Sequence, residues 1–240
     1  MQREVSGWFS PALDRQMDVA VYGHYGFALL LLPTADTGFL EYEQQGLIES
    51  IRSHIEAGKV KVFCIGSATS HRPAISNEER VQLYQLYYDY IFREVVPFIK
   101  EKTSDETPLI AAGASVGAVH SANLFFKHPD LVHGIIAMSG CYDLSHYTNG
   151  FYDQDVYFNS PGHYLTNLNA EWHLGKYRQS RHIHLITGSG AYEDPNSSRY
   201  ISTILTSKGV PHELDIWGEE YPHEWWVWHR MMNLYLETKF

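Results

Sequence analysis

The sequence predicts an α/β fold in which a mostly parallel central sheet is flanked by helices on both faces. Three observations carry that expectation. Strand-like apolar runs and amphipathic helix-like stretches alternate from about residue 17 to the C-terminus. One run, "FALLLLP" (27–33), is apolar without interruption, as a strand buried on both faces must be. The chain has 240 residues, 44% hydrophobic and 19% charged, enough to bury a core without disulfide or metal staples. Residues 1–240 are therefore read as one domain.

The elements follow in order. "MDVAVYG" (17–23) alternates apolar and polar residues like a half-buried strand, and His24-Tyr25-Gly26 reads as a turn into 27–33. The pair suggests an antiparallel edge leading into a central strand. Residues 41–58 have helical spacing, with Leu47, Ile48, Ile51 and Ile55 on one side and Gly58 as the stop. "KVKVFCIG" (59–66) is a strand. Residues 76–102 start at a capping Ser76 and run as a long amphipathic helix that Pro97 kinks or interrupts. "PLIAAGAS" (108–115) is a strand, "GAVHSANLFFKHP" (117–129) a helix, and "VHGIIAMSG" (132–140) the next strand.

An irregular insert rich in Tyr, Asn and Asp covers 141–170 and is read as a cap that supplies Tyr147, Tyr152 and Tyr157 to a substrate pocket. "SRHIHLITGSG" (180–190) resumes the strands, residues 196–209 form a helix ending at Gly209, and "VPHELDIWG" (210–218) is the last strand. "PHEWWVWHRMMNLYLETKF" closes the chain as a helix, with Trp225, Trp226 and Trp228 as core and pocket wall.

Composition excludes several function classes. Lys and Arg total 18 against 28 Asp and Glu, a net charge of -10, and no long basic stretch exists. A nucleic-acid groove or an anionic membrane surface is therefore not expected as a partner. The run 27–33 falls well short of the roughly 20 apolar residues a membrane span needs. The first residues lack the apolar segment of a secretory signal. Cys64 and Cys141 lie in or beside apolar runs and read as buried, reduced thiols. The expected location is the cytoplasm, and a homo-oligomer is compatible with these features.

Reacting groups of an open parallel sheet gather at the carboxyl ends of its strands. Ser115 follows the 109–113 strand, Glu193 and Asp194 follow the 182–187 strand, and His223 follows the last strand across a loop. Each residue type has a task. A serine hydroxyl needs a base to accept its proton, a histidine titrates near neutrality, and a carboxylate orients and stabilises the imidazolium. Ser115 stands in Gly113-Ala114-Ser115-Val116-Gly117, a GxSxG pentapeptide between a strand and a helix. That context makes it a nucleophile elbow rather than a capping serine in a tight turn. Small residues let the turn close, and the Val116 N–H at the helix start can face a developing oxyanion.

With these residues in hand, the chain resembles the α/β-hydrolase superfamily, and within it the putative-esterase, esterase D-like family. "LLLLPTADTGFLEYEQQGLIES", "AAGASVGAVHSANLFFKHPDLVHGIIAMSGCYDL", "DVYFNSP", "TGSGAYEDPNSSR" and "LDIWGEEYPHEWWVW" carry the resemblance, which runs from about Asp18 onward. It implies a cofactor-free serine hydrolase acting on a small-molecule carboxylic ester, with Ser115 as nucleophile and His223 as base. It also implies an oxyanion hole from Val116 and either Ala35 or Thr34. One departure matters. Much of the superfamily has an Asp at the place of Ala191. Counting from Gly190 puts Glu193 at that spacing, ahead of Asp194, with Asp143 as a third candidate.

Two other readings share these residues. An acyltransferase would use the same triad with an acceptor other than water, and a hydrolase-derived binding module would follow if the acid were missing. His182 and His184 alternate on one strand but have no third ligand at suitable spacing, so no metal is expected. His120, one turn into the helix after Ser115, is read as a packed helix residue.

Overall fold

The computed structural model describes residues 1–69 and 75–240. Two strands, β1 (Arg3–Ser10) and β2 (Arg15–Tyr22), open the chain as an antiparallel pair. They are followed by β3 (Phe27–Leu32), β4 (Val60–Ile65), β5 (Leu109–Ala114), β6 (Gly134–Met138), β7 (His182–Thr187) and β8 (Glu213–Ile216). One sheet contains them all, in the order β1-β2-β4-β3-β5-β6-β7-β8. Only the β1/β2 and β2/β4 pairs are antiparallel; every other neighbouring pair is parallel. The mostly parallel α/β expectation is met.

β3 shows why the sheet carries two cores. Its side chains alternate between faces, so Leu30 and Leu32 join one apolar layer while Leu29 and Leu31 join the other. On the second face lie three short helices, α1 (Glu41–Gln44), α2 (Leu47–Ser50) and α3 (Arg52–Glu56). The 41–58 stretch is therefore not one helix. Gly46 takes a left-handed conformation (φ +82°) and breaks it, although Leu47, Ile48, Ile51 and Ile55 are all buried as their spacing required.

The first face is covered by α4 (Asn77–Tyr90), a π-helical turn (Ile91–Val95), α5 (Val96–Lys102) and α6 (Val116–Lys127). Ser76 and Glu79 form the reciprocal cap that starts α4. Pro97 has no N–H to donate one turn back, and the wide turn ahead of it absorbs the mismatch without ending the rod.

The insert is more regular than its sequence suggests. A 3₁₀ turn (Leu144–Tyr147) precedes α7 (Gln154–Phe158) and α8 (Pro161–Asn167), and α9 (Glu171–Gln179), which the sequence pattern did not reveal, leads into β7. These helices are too short to show periodicity, and capping defines them instead. The Asp153 carboxylate accepts the Val156 N–H at 2.8 Å, and Pro161 opens α8. α10 (Pro195–Ser207) returns to the first face and α11 (Trp225–Thr238) closes the second. β1 was equally hidden. It is a mostly exposed edge strand whose inward side includes Trp8, packed on Phe98 at 5.2 Å. Cys64 is buried and Cys141 only half-buried, and both are free thiols.

Candidate active site

Ser115 lies between the carboxyl end of β5 and the first turn of α6. From Leu109 to Phe126 it is the one residue that is not buried. Its backbone is held at φ 55° and ψ -123°, outside the regions open to most L-residues. The surrounding contacts impose that conformation. The Ser115 N–H donates to the Met138 carbonyl at 3.0 Å, and the Ala118 N–H donates to the Ser115 carbonyl at 3.1 Å. A Cβ on Gly117 would fall 2.4 Å from the Leu32 carbonyl oxygen and 2.8 Å from that of Pro33. Only glycine lets the start of α6 sit directly on the end of β3.

That close approach sets the elbow against the segment after β3. The Thr34 N–H and hydroxyl both donate to the Glu41 carboxylate, at 2.8 and 2.6 Å. The Thr34 N–H, one of the two expected alternatives for the second oxyanion donor, is thus already engaged. On the other side, the Asp36 carboxylate accepts from the Thr69 hydroxyl and from Arg80 at 2.7 Å. Ala35 stands exposed between two clamped neighbours, and its N–H has no hydrogen-bond partner among the described residues. Val116, first residue of α6, likewise offers an N–H with no intrahelical acceptor.

The acid and the histidine come from two loops tied together through their backbones. The Gly190 N–H donates to the Tyr221 carbonyl at 3.1 Å, and the His223 N–H donates to the Ala191 carbonyl at 3.0 Å. Position 191 thus supports the histidine through its main chain. Tyr192 then adopts φ 64° with its ring 94% exposed, which turns the next side chain inward. The Glu193 side chain is 1% exposed, and its Oε1 lies 3.5 Å from Nδ1 of His223. That imidazole nitrogen is buried and has no hydrogen-bond partner closer than this carboxylate.

Glu193 also accepts from the Ser139 hydroxyl at 2.6 Å and the Thr187 hydroxyl at 2.9 Å. Burial, the largest single influence, pushes its carboxyl up. The contacts with His223, Ser139 and Thr187 together outweigh it and hold the carboxyl below its usual range. Ser139 itself accepts from the Trp228 indole at 3.1 Å, and the Trp228 ring meets His223 edge-on at 5.0 Å.

The other sequence candidates are placed elsewhere. Asp194 caps α10 by accepting the Asn196 N–H at 3.1 Å. Asp143 caps the 3₁₀ turn through the Ser145 N–H and lies 3.4 Å from His163. Of the three insert tyrosines, Tyr147 lies on the Ser115 side, partly buried against the first-face core. Tyr152 instead contacts His163 at 3.0 Å, and Tyr157 accepts from Asn167 at 2.8 Å, so neither faces the serine as expected. Trp226 is exposed rather than a core or pocket-wall residue. His120 is buried in α6 and bonded to Tyr88 at 2.9 Å. His184 contacts Glu213 at 2.9 Å, and His182 stacks on Phe240 at 4.1 Å. Among the described residues, no group of three or more His, Cys, Asp or Glu side chains converges as metal ligands would. No helix among them is long and apolar enough to cross a membrane.

A cavity of about 490 Å³ lies at the opposite, amino end of β3 and β5, lined by Tyr25, Phe27, Lys61 and Lys102. Its size does not make it the reactive site, because none of the groups just described reaches it.

Ser139 and Glu193 were not both apparent from the sequence: only the carboxylate was a candidate. Ser139 has positive φ (51°) after β6, and no sequence signal marks it.

Comparison with known proteins bears on the family and the fold. The sequence profile of the family described as Putative esterase matches residues 10–237. No curated protein sequence matches the chain. Among solved structures, an S-formylglutathione hydrolase from Agrobacterium tumefaciens superimposes with a TM-score of 0.76 at 14% identity, covering 98% of this chain and 93% of the other. A ferulic acid esterase gives 0.75 at 14% identity, covering 98% and 96%. A fluorophosphonate-binding serine hydrolase from Staphylococcus aureus gives 0.68 at 14% identity, covering 98% and 97%. At such identities the likeness establishes the α/β-hydrolase fold.

Proposed function

Because the chain belongs to the Putative esterase family, we propose that it cleaves a small carboxylic ester through an acyl-enzyme on Ser115. The observation that carries this reading is the strained, accessible Ser115 in an otherwise buried strand–turn–helix. In the first half-reaction His223 takes the Ser115 proton as Oγ bonds to the ester carbonyl carbon. The carbonyl electrons move onto its oxygen, which the N–H groups of Val116 and Ala35 receive. Collapse breaks the bond to the alkoxy group, and the imidazolium returns its proton to the departing alcohol. Water then repeats the sequence on the acyl-enzyme and releases the acid. Glu193 keeps the imidazole oriented and stabilises its charged form throughout.

The test combines a label and a rate. A fluorophosphonate should modify Ser115 stoichiometrically, and p-nitrophenyl acetate should give a burst of one p-nitrophenol per chain. Ser115→Ala should fold normally yet lose both the label and the turnover, by a factor of about 10⁶ where a triad acts as a unit. Full turnover in that variant would end the proposal.

A further inference from the structure

α6 carries Ser115 at one end and Lys127 at the other, about 18 Å apart at the helical rise of 1.5 Å per residue. Lys127 borders a groove of about 310 Å³ between that end of α6 and the insert helices, walled by Phe126, Tyr157, Phe158, Tyr164 and Leu168. The volume falls at the small end of the range that small-molecule sites occupy, roughly 300–1,000 Å³.

Lys127 is short of negative charge. Acids exceed bases by 28 to 18 in this chain, and some lysines pair with them: Lys102 with Glu4 and Lys239 with Glu213, each at 2.6 Å. Lys127, largely enclosed, has no carboxylate within ion-pair distance among the described residues. Its ammonium donates to the Asn159 side-chain oxygen and lies 4.7 Å from the Tyr88 ring centre. Burial pushes the amine down to about 8, with Asp155 of α7 opposing the shift from a distance. A second polar side chain borders the same groove. His173 of α9 lines it, and Nδ1 of that ring is buried with no hydrogen-bond partner among the described residues. A cation without a counter-ion and an unsatisfied ring nitrogen, both set in aromatic walls, describe the complement of one ligand class.

We propose that this groove binds a small amphiphilic monocarboxylate, its carboxylate between Lys127 and His173 and its apolar body against Tyr157, Phe158 and Leu168. A dianion such as phosphate does not suit a single ammonium among apolar walls. A neutral apolar molecule would leave both polar groups unmatched.

Calorimetry with phenylacetate on the full chain tests the assignment. Ser115→Ala should keep the full stoichiometry, because the groove is remote from the serine. Lys127→Met should weaken binding at least tenfold, and phenylacetamide, the neutral isostere, should bind at least tenfold more weakly to the unaltered protein. The second comparison needs no variant to fold. Affinity should also fall between pH 7 and pH 9 as Lys127 loses its proton. The ionisable groups around it are His120, His128, His173 and Asp155; burial holds His120 and His128 below the usual imidazole range, so both have released their protons before that window. Equal binding of acid and amide, no saturable binding of phenylacetate at millimolar concentration, or unchanged affinity in Lys127→Met would each overturn the proposal.

Discussion

Glu193 and Asp194 are adjacent carboxylates with opposite assignments: Glu193 lies 3.5 Å from the His223 imidazole, and Asp194 caps α10. The left-handed Tyr192 makes the difference. It swings one side chain under the loop and leaves the next on the surface. A buried carboxylate with two hydroxyl donors and an imidazole beside it is fixed in direction as well as in charge.

Glu193→Gln should therefore lower kcat on p-nitrophenyl acetate by a factor on the order of 10⁴, the loss seen when a triad acid is neutralised. Asp194→Asn should cost no more than about tenfold, since only a helix cap is touched. The reverse ranking would move the acid to Asp194. Full activity in both would shift attention to Asp143.

Glu41 accepts two hydrogen bonds from Thr34, and Gln can offer only one side-chain oxygen. In Glu41→Gln the segment carrying Ala35 loosens. Losing an oxyanion donor outright costs about 10²–10³ in kcat, so a displaced one should cost roughly 10- to 100-fold with KM nearly unchanged. A lowered melting temperature with undiminished kcat would reduce Glu41 to a structural role.

Gly117→Ala tests the contact between elbow and β3. Its Cβ would meet the Leu32 and Pro33 carbonyl oxygens at 2.4 and 2.8 Å, which are main-chain atoms with little room to yield. Overpacking of this kind costs about 1–3 kcal/mol, measurable by urea unfolding. Turnover should drop more than stability does, because serine and oxyanion segment shift together. An unchanged denaturation midpoint would contradict the geometry.

Acid should destabilise the protein through His120. Tyr88 OH and His120 Nδ1 share a hydrogen bond at 2.9 Å inside the core, and burial holds the ring down to about 4, so it is neutral at pH 7. The unfolded ring titrates near about 6.5. A depressed value means stability is fully present above about 6.5 and is lost as pH falls toward the folded value, at about 1.4 kcal/mol per pH unit between them. His120→Gln should flatten that slope in urea melts between pH 6.5 and pH 4.5. Parallel slopes in the two proteins would refute it.

Sequence made the sheet legible because its strands are long apolar runs with helices between them. What it hid has a common cause: those features depend on contacts across the fold. β1 shows no clear apolar face because one side of it is open. The helices of the insert are set by single caps at Asp153 and Pro161 rather than by periodicity. The sequence could name Ser115, Glu193 and His223 as candidates because chemistry fixes residue type there, and the fold brings Glu193 within 3.5 Å of His223. The site was not legible at Ser139, Glu41 or Asp36, whose importance arises from what they touch.

The hydrogen bond from Trp228 to Ser139, and from Ser139 to Glu193, ties the last helix to the centre of the molecule. A ribosome-bound chain that has emerged only as far as β8 holds the serine, the acid and most of the sheet, yet lacks both His223 and the indole that orients Ser139. Catalytic competence on this reading waits until the segment beyond β8 has emerged. Refolding followed by tryptophan fluorescence and by ester turnover should then finish on one timescale, with no active species ahead of a docked α11.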